Sequence, residues 1–161
     1  MSGTADLARI TQVAGRDLRL DYTFGGGFFE DADLATTEQS SRAALTRDLA
    51  VAEGLDALRQ AIVNRLKTRK GELASLGHPD YGSRHHELIG EPNVERTRDL
   101  IKLYVLQALR DEPRIERVLE AKVSAEQSPP RETVRIELRV QLHRQITPLN
   151  LLIPFSLEAA L

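Results

Sequence analysis

The chain contains no cysteine and no tryptophan, and its 161 residues include only three tyrosines and four phenylalanines. Without cysteine there is no disulfide, no thiolate nucleophile and no cysteine-ligated zinc, so stability must come from packing. With few rings available the core must be aliphatic, which favours helices packed on a small sheet over an aromatic-lined ligand pocket. Strong charge is missing too: a formal net charge of -2 gives no electrostatic reason to expect nucleic acid or an anionic membrane as partner. No stretch approaches the roughly 20 apolar residues of a membrane span, and no basic segment followed by an apolar run opens the chain. These absences predict a protein made and kept in the cytoplasm unless it leaves as part of a larger particle, folded as one domain with an arm outside it.

What is present is periodic. Met1 to Arg16 has scattered polar residues and no period, and reads as a poorly ordered tail. From Asp17 to Phe24 strict alternation puts Leu18, Leu20, Tyr22 and Phe24 on one face, which predicts a strand. Gly25, Gly26 and Gly27 form a flexible joint, and the polar stretch Glu30 to Arg42 reads as a loose tether. The expected division is a tail and strand arm over residues 1–47, with its Gly-rich joint, and a folded domain over 48–161. A half-apolar strand on such a tether is either an edge of its own sheet or an arm that pairs with another chain.

A first helix is predicted from about Val51 to Thr68, with Val51, Leu55, Leu58, Ile62 and Leu66 on its core face and Asp56, Arg59, Gln60, Asn64 and Lys67 solvated. Gly71 stops it. The segment His78 to Ser83 has the chemistry of tight turns and leads into a short helix ending near Leu88. Asn93 is placed to cap a second long helix, Val94 to Arg110, apolar at Val94, Ile101, Val105, Ala108 and Leu109. Alternation returns in Val118 to Ala125 and Thr133 to Leu142, two hairpin partners joined by the polar loop Glu126 to Arg131. A last strand runs through Leu149, Leu151, Ile153, Phe155 and Leu157. Pro154 interrupts it, and a proline fits a strand mainly where its missing amide would have faced solvent, so this strand is expected at the sheet edge. The fold class is α+β: two main helices packed on a small three-stranded antiparallel C-terminal sheet, with an N-terminal strand arm.

Between the second helix and the sheet lies Asp111-Glu112-Pro113-Arg114-Ile115. Proline ends the helix and forces Glu112 to be extended, and residues two apart in an extended segment share a face. Glu112 and Arg114 therefore stand side by side at a rigid corner, a carboxylate and a guanidinium fork suited to polar recognition of a partner.

Read in order, Gly54-Leu55, Leu58-Arg59-Gln60-Ala61-Ile62, Leu66 through Leu73, Pro79-Asp80-Tyr81-Gly82-Ser83, Glu112-Pro113-Arg114-Ile115 and Ile153-Pro154-Phe155 together resemble the baseplate wedge and sheath-initiator family of contractile phage tails and injection systems. The resemblance covers the C-terminal two-thirds of the chain. It implies a non-enzymatic structural protein of a phage virion or phage-tail-like particle, present in several copies in a six-fold assembly and needing no cofactor. It implies docking of Glu112, Pro113 and Arg114 on the helical bundle of the wedge proteins. It further implies that the strand bearing Leu149, Leu151, Ile153, Phe155 and Leu157 serves as a template on which the sheath protein polymerises by strand pairing. The central hub or spike is a further partner within its scope.

Members of that family have been labelled lysozymes, so enzymatic readings need weighing. A glycosidase requires two carboxylates across a cleft, one with a raised pKa. Glu72 and Asp80 flank the turn segment, yet Glu72 follows a helix-ending glycine and Asp80 lies in a turn where aspartate normally bonds its own backbone. A cell-wall-degrading, muramidase-like hydrolase is the alternative in a different class, and a generic baseplate adaptor without sheath contact is another. His78, Asp80, His85 and His86 lie close in sequence, but no pair has the i, i+4 spacing of a helical zinc site. Arg65, Lys67, Arg69 and Lys70 follow no glycine-rich loop, so compensation of the helix dipole explains them better than phosphate binding.

Overall fold

A computed structural model of the chain describes residues 15–25, 28–41, 44–126, 132–143 and 147–158. Short strands come first: β1 (Arg16–Leu18), β2 (Leu20–Gly25), β3 (Phe28–Leu34), β4 (Thr36–Ser41), β5 (Ala44–Leu49) and β6 (Val51–Glu53). Helix α1 (Leu55–Lys67) follows, then two 3₁₀ turns at Ala74–Leu76 and Arg84–Leu88, helix α2 (Glu95–Arg110), and strands β7 (Ile115–Ala125), β8 (Thr133–Leu142) and β9 (Leu149–Ser156). The chain divides into two units, one of residues 1–24 and 29–61 and one of residues 25–28 and 62–161, the second break falling inside α1.

In the N-terminal unit the strands form three two-stranded ribbons, β1 with β6, β2 with β3 and β4 with β5. Single residues carry the chain from one ribbon to the next: Arg19, Ala35 and Ala50. Their backbones close a ring in which Arg19 N–H donates to Ala50 O, Ala50 N–H to Ala35 O and Ala35 N–H to Arg19 O, each at 2.9 Å. The ring pairs main-chain groups at the point where every ribbon's own ladder ends, as backbone away from water requires. Gln60 of α1 holds one link of the ring. Its Oε1 accepts from Leu20 N–H at 2.8 Å and its Nε2 donates to Leu18 O at 2.7 Å.

Several expectations for this region change. The strand Asp17 to Phe24 is broken at Arg19 into β1 and β2, because Arg19 N–H turns to Ala50. Residues of the stretch Glu30 to Arg42 lie in β3 and β4 instead of a tether, since the ribbons supply their polar backbones with partners. The first helix begins at Leu55, not Val51: Gly54 has φ 60, outside the helical basin, and Val51 pairs with Leu18. Gln60 is buried, not solvated, because it is spent on the backbone of Leu18 and Leu20. Met1 to Ala14, Gly26, Gly27 and the loop residues Gln127 to Arg131 lie outside the described residues.

The C-terminal unit has the expected α+β architecture. Its antiparallel sheet has the order β7-β8-β9. Pairing is regular from Thr133↔Ser156 to Val140↔Leu149, while β7 carries irregularities between Ile115 and Arg117 and between Val118 and Glu120. One face of β8 is buried throughout, at Val134, Ile136, Leu138, Val140 and Leu142, and the residues between them are exposed or half-buried. The buried core also takes in Ile62, Val63 and Leu66 of α1 and Ile101, Val105, Ala108 and Leu109 of α2. Each large apolar side chain among them stabilises the fold by about 1.5–3 kcal/mol. The second helix starts one residue later than expected. Val94 is its half-exposed N-cap, and Asn93 instead accepts from Arg98 Nη1 through its carbonyl (3.0 Å) and side-chain oxygen (2.9 Å).

A loop from Thr68 to Ser83 is clasped at its base. Ser83 N–H donates to Thr68 O at 2.9 Å and Lys70 N–H to Ser83 O at 3.1 Å. Gly82 makes that closure possible: its φ is +100, and a Cβ there would lie 2.7 Å from the carbonyl oxygens of Thr68 and Arg69.

Candidate interaction surfaces

Helix α2 ends where proline demands it. Glu112 N–H still donates to Leu109 O at 3.2 Å, and Ile115 N–H closes a tight turn on Glu112 O at 3.1 Å before β7 begins. The expected neighbours, Glu112 and Arg114, are bonded to each other: Arg114 Nε donates to Glu112 Oε1 at 2.6 Å and Nη2 to Oε2 at 3.1 Å. Arg114 N–H adds a bond to Oε1 at 3.3 Å, and Arg65 Nη2 approaches Oε2 at 3.5 Å. Glu112 is buried, so its carboxylate faces inward, whereas Arg114 is half-buried and Pro113 exposed. Burial alone would raise the Glu112 pKa. The bonds and charge of Arg114, with the charge of Arg65, overcome it and hold the group below the ordinary carboxylate range. The Arg65 guanidinium also lies over the Tyr81 ring, 4.5 Å from its centroid. Glu112 thus acts as a clamp that fixes Arg114, and the outward part of the corner is Pro113 and Arg114.

Among the predicted strand-pairing residues, Leu149, Leu151, Ile153 and Leu157 are buried and Phe155 is half-buried. Their side chains therefore anchor β9 to the core. Any pairing with another chain must use backbone, and the geometry assigns which. In the described sheet β9 neighbours β8 alone. Pro154 has no amide hydrogen, so its nitrogen must point off the free edge, and Leu152 and Asn150, at the same parity in a regular ladder, point their N–H groups the same way. Leu152 is also 57% exposed.

Behind β9 lies a histidine pair. His85 is buried, with Nδ1 2.7 Å from Ser83 Oγ and its ring edge-on to Phe155 at 4.4 Å. His86 Nε2 donates to Leu66 O at 2.7 Å. Burial, then the neighbouring His86, pushes the His85 pKa down to about 3. Both rings are engaged in packing. Among the described residues no group of three or more His, Asp or Glu side chains is arranged to hold a metal ion. The two carboxylates weighed for hydrolysis are exposed and tied to their own loop: Glu72 Oε2 accepts from Arg69 N–H at 2.9 Å, and Asp80 Oδ1 lies 3.7 Å from Lys70 Nζ.

The family profile described as baseplate wedge protein gp25 matches residues 52–147, more than half of the chain. The chain belongs to the gp25 baseplate wedge family. No curated protein sequence matches it. It is similar to the crystal structure of a Geobacter sulfurreducens protein proposed to be a tail lysozyme, at 27% identity and a TM-score of 0.55, over 64% of this chain and 90% of that one. The matched span of the gp25-family domain contains the Glu112–Arg114 corner, α1, α2 and β8. Membership makes it a component of a phage-type baseplate, associated with other baseplate components, and among the described residues no helix is long and apolar enough to cross a membrane.

Sequence reading missed the ribbon junction. A signal was present: Asp-Leu recurs at Asp17-Leu18, Asp33-Leu34 and Asp48-Leu49, each immediately before a linking residue of the ring.

Proposed function

We propose that this gp25-family protein is a non-enzymatic assembly component of a contractile tail or injection system that docks on the wedge through the Glu112–Pro113–Arg114 corner and starts the sheath through β9. Residues 48–161 would carry these contacts, with residues 1–47 as an arm. The observation that supports it best is the open edge of β9: its core-facing side chains lock the register while Asn150 and Leu152 offer backbone groups outward. Main-chain hydrogen bonds then supply the attachment and the exposed alternates the specificity. The corner contributes a positively charged, preorganised Arg114 whose rotamer the buried Glu112 already fixes.

Leu152→Pro removes one outward amide without touching the ladder to β8. Baseplates containing it are expected to lack sheath; sheaths of normal length would sink the template role. Arg114→Glu is expected to deplete wedge proteins in an affinity pull-down from native lysate, read by mass spectrometry, while the isolated protein stays folded. The likeness to a protein proposed to be a tail lysozyme keeps a muramidase reading in view. Clearing of purified cell wall by the wild type, abolished in Glu72→Gln, would replace the assembly reading with it.

A further inference from the structure

The two outer strands of the C-terminal sheet differ in composition. Strand β7 carries Glu116, Arg117, Glu120 and Lys122 and two interruptions of its register, devices by which edge strands resist pairing. Strand β9 carries no charged residue from Leu149 to Ser156. In its outward row Asn150 and Leu152 keep their amides, and the next position, Pro154, interrupts the donors. The solvent side of an edge strand is where charge normally guards against pairing, yet Leu152 stands there, 57% exposed.

Leu152 borders a hollow of about 320 Å³ on the solvent side of the sheet, lined also by Asn150, Glu137, Arg139 and Glu120. Register explains its position. Glu120, Arg139 and Asn150 stand in one row across the three strands, and Glu137 is beside Leu152 in the next. The charges of this face are opposed in sign, Glu120 across from Arg139 and Lys122 across from Glu137, while Arg135 Nη2 donates to Glu126 Oε2 at 2.8 Å. The face therefore favours neither sign of charge in a partner, and selection falls to the leucine. A strand laid along β9 places the residue lateral to Leu152 on the same face, roughly 5 Å away between Cβ atoms. From there a large side chain covers Leu152 and reaches into the hollow.

We propose that the strand joining β9 is an extended segment of a partner protein, selected by one large apolar side chain that it seats over Leu152 and in the adjoining hollow. The inference rests on the β9 reading above and adds the chemistry of its partner. Counting sheathed baseplates by electron microscopy, in particles assembled with variants of the full chain, tests it. Leu152→Lys and Leu152→Thr keep the backbone amide and, at an exposed position, should leave the melting temperature and incorporation into baseplates unchanged. Both should nevertheless lower the sheathed fraction about fivefold. Leu152→Met, which preserves apolar volume, should match the wild type. Normal sheathing in Leu152→Lys and Leu152→Thr, beside its loss in Leu152→Pro, overturns selection by the side chain and leaves the edge reading standing. Normal sheathing in all of them, Leu152→Pro included, overturns both. A Leu152→Met variant as deficient as Leu152→Lys also overturns the proposal, because the deficit would not follow apolar character.

Discussion

Arg114 Nε lies 2.6 Å from Oε1 of Glu112, two residues away across a proline, in a turn that joins a helix to a strand. The bond is short, charge-assisted and doubled by the Nη2 contact, and its carboxylate also faces the buried Arg65. The two members of the motif therefore differ in placement: Glu112 holds the corner together from inside, and Arg114 is the one that reaches solvent.

Removing the internal member should cost more than removing the outer one. Glu112→Ala leaves Arg65 buried without its acid and is expected to destabilise the protein by about 3 kcal/mol. Arg114→Ala takes three bonds from the buried carboxylate but leaves it facing Arg65, and should cost less, about 2 kcal/mol. Urea unfolding of both variants checks the order; equal losses would mean that the pair is not anchored from inside.

Acid should destabilise the fold in two stages. The folded-state pKa of His85 lies below its unfolded value of 6.5, so its contribution is complete above that value and declines as pH falls toward about 3. Between pH 7.5 and 5 this amounts to about 2 kcal/mol. Glu112, also depressed in the folded state, contributes above its ordinary value of 4.5 and loses that contribution at still lower pH. Denaturant titrations across this range should therefore fall from near neutrality, and His85→Asn should flatten the first stage. Equal wild-type stability at pH 7.5 and 5 would contradict the burial of His85.

Two glycines of the clasped loop separate conformation from space. Gly71 has φ +87 with nothing within 4 Å of where an added Cβ would sit, whereas Gly82 has φ +100 and two carbonyl oxygens at 2.7 Å from that position. Gly71→Ala should cost about 1 kcal/mol for the left-handed backbone alone. Gly82→Ala should cost about 3 kcal/mol, because the clasp between Thr68 and Ser83 must open as well. Matching melting temperatures for the two variants would show that the carbonyls yield freely.

Gln60→Ala strips both partners from the link between β1 and β2. A loss of about 2 kcal/mol is expected from the unsatisfied Leu18 carbonyl and Leu20 amide. Faster hydrogen exchange should spread to the amides of Arg19, Ala35 and Ala50, which share the ring. Acceleration confined to Leu20 would show that the three ribbons open independently.

The C-terminal half was legible because its physics is local and repetitive. Alternation in Thr133 to Leu142 is strand β8 to the residue, and the 3.6-residue period locates the buried faces of α1 and α2. Proline acts on its own backbone, so Pro113 ended α2 and Pro154 marked the edge strand without help from the rest of the chain. The N-terminal half depended on partners distant in sequence. Nothing local says that Arg19 will donate to Ala50, that Gln60 will serve the backbone of Leu18 and Leu20, or that Leu34 will face solvent while Ala35 is buried. The same holds at the corner: spacing put Glu112 beside Arg114, but only the approach of Arg65 from α1 decided that the carboxylate would point inward. Periodicity and backbone stereochemistry set the elements, and hydrogen bonds closed over long sequence separations set what each element presents.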